Sequence, residues 1–458
     1  MRGDLGMEAA FVASPERLIF SAAVGMALLL FLIIKGKLQP VIAIVVSAIT
    51  IGVLVGMPLP TIVTTIEKGV GSTLQGIALL VGLGSMFGAI LECSGGAESI
   101  AHTLVTKFGD SKAAWALGIT GLVIGMPVFF DAGLIILIPL AFGLAKKTNK
   151  STLTYAIPLL AGLAVGHAFI PPTPGPVLVA NMLGVELGYV IGVGIIVGLV
   201  AMILAGPVFG KYIGNKIYVP VPENFKLNTN PNKNAKLPSF GTVVAIILVP
   251  LALILLNTMS KVIPALEPMQ DIFAFLGTPF VALTISTLLA MFLLGIRNGF
   301  TREELEKVMT KSLEPAGMVL LVTAGGGVLR WMLQDSGLGD VIGNMIASSS
   351  LPLVLVAFLI AGAVRISIGS ATVSMTMAAG IVAAMPEVAN LPQLQLAAIV
   401  MAIAGGATIM SHVNDSGFWL VKSLFNIDEK TTLKTWTVME TIVGVVGLAG
   451  ALVISIFA

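Results

Sequence analysis

The feature that most constrains the fold is a long apolar run that contains one acidic residue. Residues 113–144 are almost entirely apolar, yet Pro127 stands near the middle and Asp131 follows four residues later. A crossing needs about 20 residues and proline breaks helices, so one helix cannot account for this run. Lysines flank both of its ends, which indicates that both ends are cytoplasmic. The run therefore predicts a re-entrant hairpin over residues 113–145 with Asp131 at its tip.

Composition places the whole chain in a lipid bilayer. Hydrophobic residues make up 57% of the sequence and charged residues only 10%, which is typical of a multi-pass membrane protein. The net charge of +2 is too small to indicate nucleic-acid binding. Cys93 is the sole cysteine, so an internal disulfide and a cysteine-based metal cluster are excluded. We expect no cofactor and no metal.

The chain divides into two similar halves. The first half, residues 1–218, holds the hairpin 113–145 and a span over 153–183 that prolines interrupt at 171–176. A polar linker, 219–238, precedes the second half, 239–458, which has a hairpin over 352–385 and a broken span over 394–421. We further expect a short interfacial segment at 61–70 before a span at 74–91. Matched broken helices are typical of secondary transporters.

Loop charges predict the orientation of the two halves. With the N-terminus outside, most lysines and arginines fall in cytoplasmic loops, as the positive-inside rule requires. Each half then makes an odd number of crossings, so the halves are inverted relative to each other. The fold predicted is an all-α polytopic membrane protein of two inverted repeats, with about ten spans plus two hairpins.

Four motifs at the interruptions carry a family resemblance. They are PVFFD at 127–131, HAFIPPTPGP at 167–176, GSATV at 369–373 and SHVNDSGFW at 411–419. Together with shorter matches at 205–207 and 436–441, they resemble the gluconate permease family of proton symporters over nearly the whole chain. The family often carries Tyr-Glu where this chain has Phe130 and Asp131.

This resemblance implies proton-coupled uptake of gluconate or a related small sugar acid or hydroxy acid. It implies a location in the cytoplasmic membrane of a prokaryote. It also implies membership of the larger ion-transporter superfamily, whose members are typically homodimers with a scaffold and a moving transport domain.

The candidate substrate-binding residues are the charged, polar and ring side chains at the interruptions. They are Phe130, Asp131, His167, Pro172, Thr173, Arg365, Ser370, Thr372, His412, Asn414 and Asp415. An acidic residue inside the membrane marks a functional site by default, so Asp131 is the predicted proton-coupling residue. It could instead be a structural carboxylate that pairs with a base or caps a half-helix.

The other candidates also have two interpretations each. Arg365 could hold a substrate carboxylate bidentately, or form an ion pair with Asp131 or Asp415. The hydroxyl groups of Ser370 and Thr372 could donate to an anion, or bond to helix carbonyls. The two histidines could relay protons or bond across helices. Asn414 and Asp415 could bind substrate hydroxyls or satisfy the backbone exposed by the break.

Other functions remain as alternatives. A sodium-coupled or facilitated carrier of another small organic or amino acid is compatible with the same pattern. An intramembrane hydrolase would need a zinc motif or a Gly-x-Ser-x-Gly elbow, and the sequence has neither. An ion channel would need a continuous pore lined by charges or carbonyls. Broken helices in both halves fit alternating access better than such a pore.

Overall fold

The computed structural model describes residues 13–222, 237–261, 263–338, 341, 351–412 and 415–458. All regular elements in these ranges are helices. Most of the predicted linker 219–238 and the candidate residue Asn414 lie outside the described residues.

Nine helices are described in the first half, with a π-helical turn, Leu204–Val208, joining the last two. They are α1 Pro15–Ile34, α2 Pro40–Val55, α3 Leu59–Cys93, α4 Gly96–Gly125, α5 Phe130–Thr148, α6 Leu153–Phe169, α7 Pro174–Leu183, α8 Leu187–Ile203 and α9 Phe209–Lys216. The segment expected at 61–70 is not separate from the span that follows it: it forms the start of α3, which continues through Gly71 and bends by 43° around residue 76. Its interfacial position stays a prediction.

The second half is built in the same way. Its described helices are α10 Phe240–Ser260, α11 Gln270–Leu276, α12 Pro279–Ala290, α13 Arg302–Lys311, α14 Leu313–Asp335, α15 Leu353–Ile368, α16 Ala371–Ala383, α17 Gln393–Gly406, α18 Ser416–Phe425, α19 Glu429–Thr432 and α20 Val438–Phe457. A π-helical turn, Leu433–Thr437, joins α19 to α20 into one continuous helical rod.

Helix breaks occur at all four predicted interruptions. They separate α4 from α5, α6 from α7, α15 from α16, and α17 from α18. Local chemistry explains them: prolines stand at the first two breaks, and Gly369 adopts a left-handed conformation with φ 86° at the third. The Ser370 and Asp415 side chains cap α16 and α18 by accepting from backbone N–H groups.

The helices that precede the breaks are packed inside the protein. Nearly all residues of α6 and of α17 are buried. Helix α4 contacts α6 so closely that a Cβ atom on Gly121 would lie 2.4 Å from the carbonyl oxygen of Leu159. Small residues permit this approach, which membrane helices commonly use to associate. The interruptions are therefore surrounded by protein.

Length and composition identify the membrane-crossing helices. In the described ranges, seven helical segments can cross a membrane, or eight if the two parts of α3 count as one bent span. Shorter apolar helices, among them α2, α15, α16 and α17, accompany them. The chain is thus an all-helical polytopic membrane protein. The count of about ten spans stays a prediction.

Candidate functional site

A cavity of about 470 Å³ lies where the four interruptions meet. Most of the predicted site residues line it: Phe130, Asp131, His167, Arg365, Ser370, Thr372 and Asp415. They come from both halves of the chain, up to 285 positions apart. The breaks leave polar backbone groups at this depth, and such groups are tolerated in a membrane protein where they line a cavity.

Four helices begin at this cavity. The lining includes first-turn residues of α5, α7, α16 and α18, which are Phe130, Pro174, Thr372 and Gly417 among others. A helix N-terminus presents unpaired backbone N–H groups and the positive end of the helix dipole. Pro174 and Pro176 have no N–H group, so α7 contributes fewer donors than the other three ends. The remaining N–H groups of these ends favour an anion in the cavity.

An ion pair crosses one wall of the cavity. Nη2 of Arg365 on α15 donates to Oδ2 of Asp415 over 2.5 Å, and Nη1 donates to the carbonyl oxygen of Gly369. The Arg365 side chain is 4% exposed and that of Asp415 12%. Arg365 was expected either to hold a substrate carboxylate or to form an ion pair. The structure contains the ion pair, with Asp415 as the partner. A role of Arg365 in holding substrate stays a prediction.

Asp415 is held by several further donors. Its Oδ2 accepts from the Ser411 hydroxyl at 2.5 Å, and its Oδ1 accepts from the backbone N–H of Gly417 at 3.1 Å. Trp436 in turn donates from Nε1 to the Ser411 hydroxyl at 2.6 Å. This network positions the carboxylate beside Arg365, and it also caps α18, so the structural interpretation of Asp415 applies as well.

Asp131 lines the same cavity from the first turn of α5. Its neighbour Phe130 packs on the Trp436 ring with the ring centres 5.3 Å apart. Asp131 is close enough to Asp415 for the two carboxyl groups to interact electrostatically. Asp131 from the first half thus shares the cavity with the Arg365–Asp415 pair from the second half.

His167 borders two spaces. It lines the main cavity and a smaller adjoining one, and its ring centre lies 5.9 Å from that of Phe129. Pro172 and Thr173 line only the smaller space, whose other wall includes Gly84 and Ser85 of α3. These two predicted residues therefore lie next to the main cavity instead of in its wall.

The remaining candidates, Ser370, Thr372 and His412, differ in whether they line the cavity. Ser370 and Thr372 line the cavity, and the Ser370 hydroxyl accepts from the backbone N–H of Val373 at 3.3 Å. His412 does not line it; its Nε2 lies 3.0 Å from the carbonyl oxygen of Ile366. This contact agrees with the interpretation that His412 bonds across helices. In the described ranges, no group of three or more His, Cys, Asp or Glu side chains could hold a metal ion.

Sequence reasoning missed two important side chains in this wall. Trp436 and Glu440 line the cavity from the rod formed by α19 and α20, one helical turn apart on the same face. Glu440 is an acidic residue within an apolar span, which is the same signal that identified Asp131. Applying that criterion to residues 429–457 would have found it.

Broken helices around a polar cavity are typical of membrane transporters of the secondary type. The family model of the GntP family permeases matches residues 17–457. The chain therefore belongs to the GntP permease family, which confirms the resemblance carried by the four motifs. It is a transporter and not an enzyme.

Two curated relatives and one solved structure illustrate the similarity. The low-affinity gluconate transporter of Escherichia coli K12 is 38% identical over 94% of this chain and 96% of its own length. The Gnt-II system L-idonate transporter of the same organism is 36% identical over 94% and 98%. The crystal structure of the Alcanivorax borkumensis YdaH transporter matches with a TM-score of 0.60 at 14% identity, over 85% of this chain and 87% of that one. That match supports the fold alone.

Proposed function

We propose that this protein is a proton-coupled symporter that takes up gluconate or a related sugar acid such as L-idonate. The observation that carries the proposal is the cavity at which four helix N-termini converge around a buried arginine and an acidic residue. The N-termini and Arg365 attract a carboxylate, and Asp131 binds the coupled proton. Relatives named as gluconate and L-idonate transporters support this substrate class.

Proton and substrate help each other to bind in this scheme. A substrate anion in the cavity would repel an ionised Asp131. A proton on Asp131 removes the repulsion, so each ligand raises the affinity for the other by reciprocal linkage. Arg365 must share its guanidinium between Asp415 and the substrate, which its several N–H donors permit.

We further propose that the chain forms two inverted repeats with re-entrant hairpins in the prokaryotic cytoplasmic membrane. Reciprocal packing between the halves supports this. Phe142 of α5 packs on Phe425 of α18 at 5.7 Å, and Gly175 of α7 packs against Met375 of α16. In both pairs, the second arm of a hairpin contacts the second part of the other half's broken span. Dimerisation of the protein remains a prediction.

Uptake into proteoliposomes tests the proposal. The purified full-length protein is reconstituted and offered labelled gluconate, L-idonate and hydroxy acids with an imposed proton gradient, sodium gradient or neither. We expect gluconate or L-idonate to accumulate above equilibrium with the proton gradient only, and a protonophore to abolish the accumulation. Accumulation that needs sodium would establish the sodium-coupled alternative, and equilibration without accumulation would establish a facilitated carrier.

A further inference from the structure

Glu440 is a buried acidic residue in the cavity wall that the scheme above does not use. Glu440 is only 4% exposed and lies one helical turn beyond Trp436. Its Oε1 atom has no hydrogen-bond partner among the residues that the structure describes. A buried polar atom without a partner is rare, and in a binding cavity it indicates a group that is kept available for a ligand.

The one arginine that lines the cavity beside Glu440 is already paired with another carboxylate. Arg365 and Asp415 are close enough to interact with it electrostatically, but they pair with each other at 2.5 Å. From the other elements around the cavity, Asp131 of α5 and His167 of α6 face the same space. An ionised Glu440 would be a buried carboxylate with no cation of its own, which is strongly unfavourable.

Binding of an anionic substrate makes the ionised form still less favourable. The substrate adds one negative charge to a cavity whose guanidinium already has a carboxylate partner. A negative Glu440 would repel it, whereas a neutral carboxylic acid would offer an O–H donor at no cost in charge. Enzymes use a carboxylic acid that is kept neutral by its apolar surroundings for this purpose.

We propose that Glu440 stays protonated throughout transport and donates a hydrogen bond to an oxygen atom of the sugar acid. Glu440 is then a substrate-recognition residue, distinct from the coupling residue Asp131, and this inference rests on the proposed function. The recognised group is a hydroxyl oxygen. Because a site built to bond a hydroxyl rejects analogues that lack it, Glu440 contributes to selection for hydroxylated acids.

Infrared spectroscopy tests the protonation of Glu440 directly. The carbonyl stretching band of a protonated carboxylic acid should be present in the wild-type protein at neutral pH. In Glu440→Gln, its intensity should fall by the contribution of one carboxylic acid. Adding gluconate should shift that band, since a new hydrogen bond weakens the carbonyl bond. Absence of a band that depends on Glu440 would overturn the proposal, even if gluconate proves not to be the substrate.

Two substitutions test the donor role. Glu440→Gln keeps a neutral donor of similar shape, so it should lose less apparent affinity for gluconate than Glu440→Leu, and its accumulation should still depend on the proton gradient. Glu440→Leu removes the donor and should weaken gluconate binding about tenfold or more. The same comparison is made with each monodeoxy analogue of gluconate. The analogue that lacks the hydroxyl bonded by Glu440 should bind equally to wild type and to Glu440→Leu.

Each result decides the matter. Loss of proton-driven accumulation in a folded Glu440→Gln protein would mean that Glu440 exchanges protons during transport, which overturns the proposal. Unchanged affinity in Glu440→Leu for every sugar acid tested would also overturn it, because the side chain would then only fill space. Should Glu440→Leu fail to fold, the infrared band and the Glu440→Gln transport data decide alone. Failure of the wild-type protein to transport any sugar acid would instead overturn the proposed function.

Discussion

Arg365 and Asp415 form a 2.5 Å ion pair between α15 and the start of α18, and this pair lies in the wall of the cavity that both halves enclose. Breaking a buried pair by removing one partner typically costs about 3–5 kcal/mol. The pair therefore both stabilises the junction of two broken elements and holds the guanidinium where an anion can reach it. Substitutions at this junction have to separate the two effects.

Replacing Arg365 by lysine should separate them. Lysine keeps the positive charge for Asp415 but cannot form two parallel hydrogen bonds to a carboxylate. We expect the apparent substrate constant of Arg365→Lys to rise about tenfold, equivalent to about 1.4 kcal/mol. Equilibrium binding of labelled gluconate to the purified protein measures it. Normal affinity in a folded Arg365→Lys protein would restrict Arg365 to its structural role.

Replacing Asp131 by asparagine should uncouple transport from the proton gradient. Asparagine is close in shape to aspartate and cannot bind the coupled proton. We expect Asp131→Asn to bind substrate and to catalyse counterflow exchange, while accumulation driven by an inward proton gradient disappears. Asp131→Glu should keep partial activity, since it retains a carboxyl group. Uphill accumulation by Asp131→Asn would show that another group couples transport, and Asp415 and His412 would be tested next.

The inverted topology can be tested by thiol labelling. In a Cys93→Ala background, single cysteines at Tyr218, which is 68% exposed after α9, and at Glu387, between α16 and α17, provide the two reporters. We expect an impermeant maleimide to label Glu387→Cys from outside intact cells, and Tyr218→Cys only after the membrane is opened. Labelling of both cysteines from the same face would contradict the inverted arrangement.

The contact between α4 and α6 predicts a stability effect. A Cβ atom at Gly162 would lie 2.2 Å from the carbonyl oxygen of Gly118, which is backbone and cannot easily move. Gly162→Ala should therefore lower stability by about 1–3 kcal/mol, as overpacking does. Thermal unfolding in detergent measures this. Gly192→Ala on α8 is the matched control, because no atom lies within 4 Å of its Cβ position.

Much of the fold followed from local features of the sequence. The helix breaks come from prolines and from glycine or side-chain caps, which act within a few residues, so they could be located without knowledge of the packing. The boundaries of the first hairpin were close: it was expected at 113–145. Its first arm is the part of α4 that follows the non-helical residue Gly109, Ser111–Gly125, and its second arm, α5, ends at Thr148. The separation of 61–70 from 74–91 is absent from the structure, because α3 continues through Gly69 and Gly71 and bends only around residue 76.

Local sequence features also predicted part of the site. Charged and polar residues at the breaks stood out against apolar surroundings, and most of them line one cavity. Glu440 and Trp436 were missed because they lie within a continuous helix, away from any break. Their inclusion depends on which face of that helix is turned toward the cavity.

Hydropathy, proline geometry and motifs are local properties, so membrane crossing, the positions of the helix breaks and the family resemblance followed from the sequence. The pairing of Arg365 with Asp415 and the place of Glu440 in the same cavity wall depend on packing and were seen only in the structure. Arg365 and Asp415 are 50 positions apart, and Asp131 and Glu440 are more than 300 apart. The energy of a charge inside a membrane depends on its spatial neighbours, so its partner is fixed by packing and not by position along the chain.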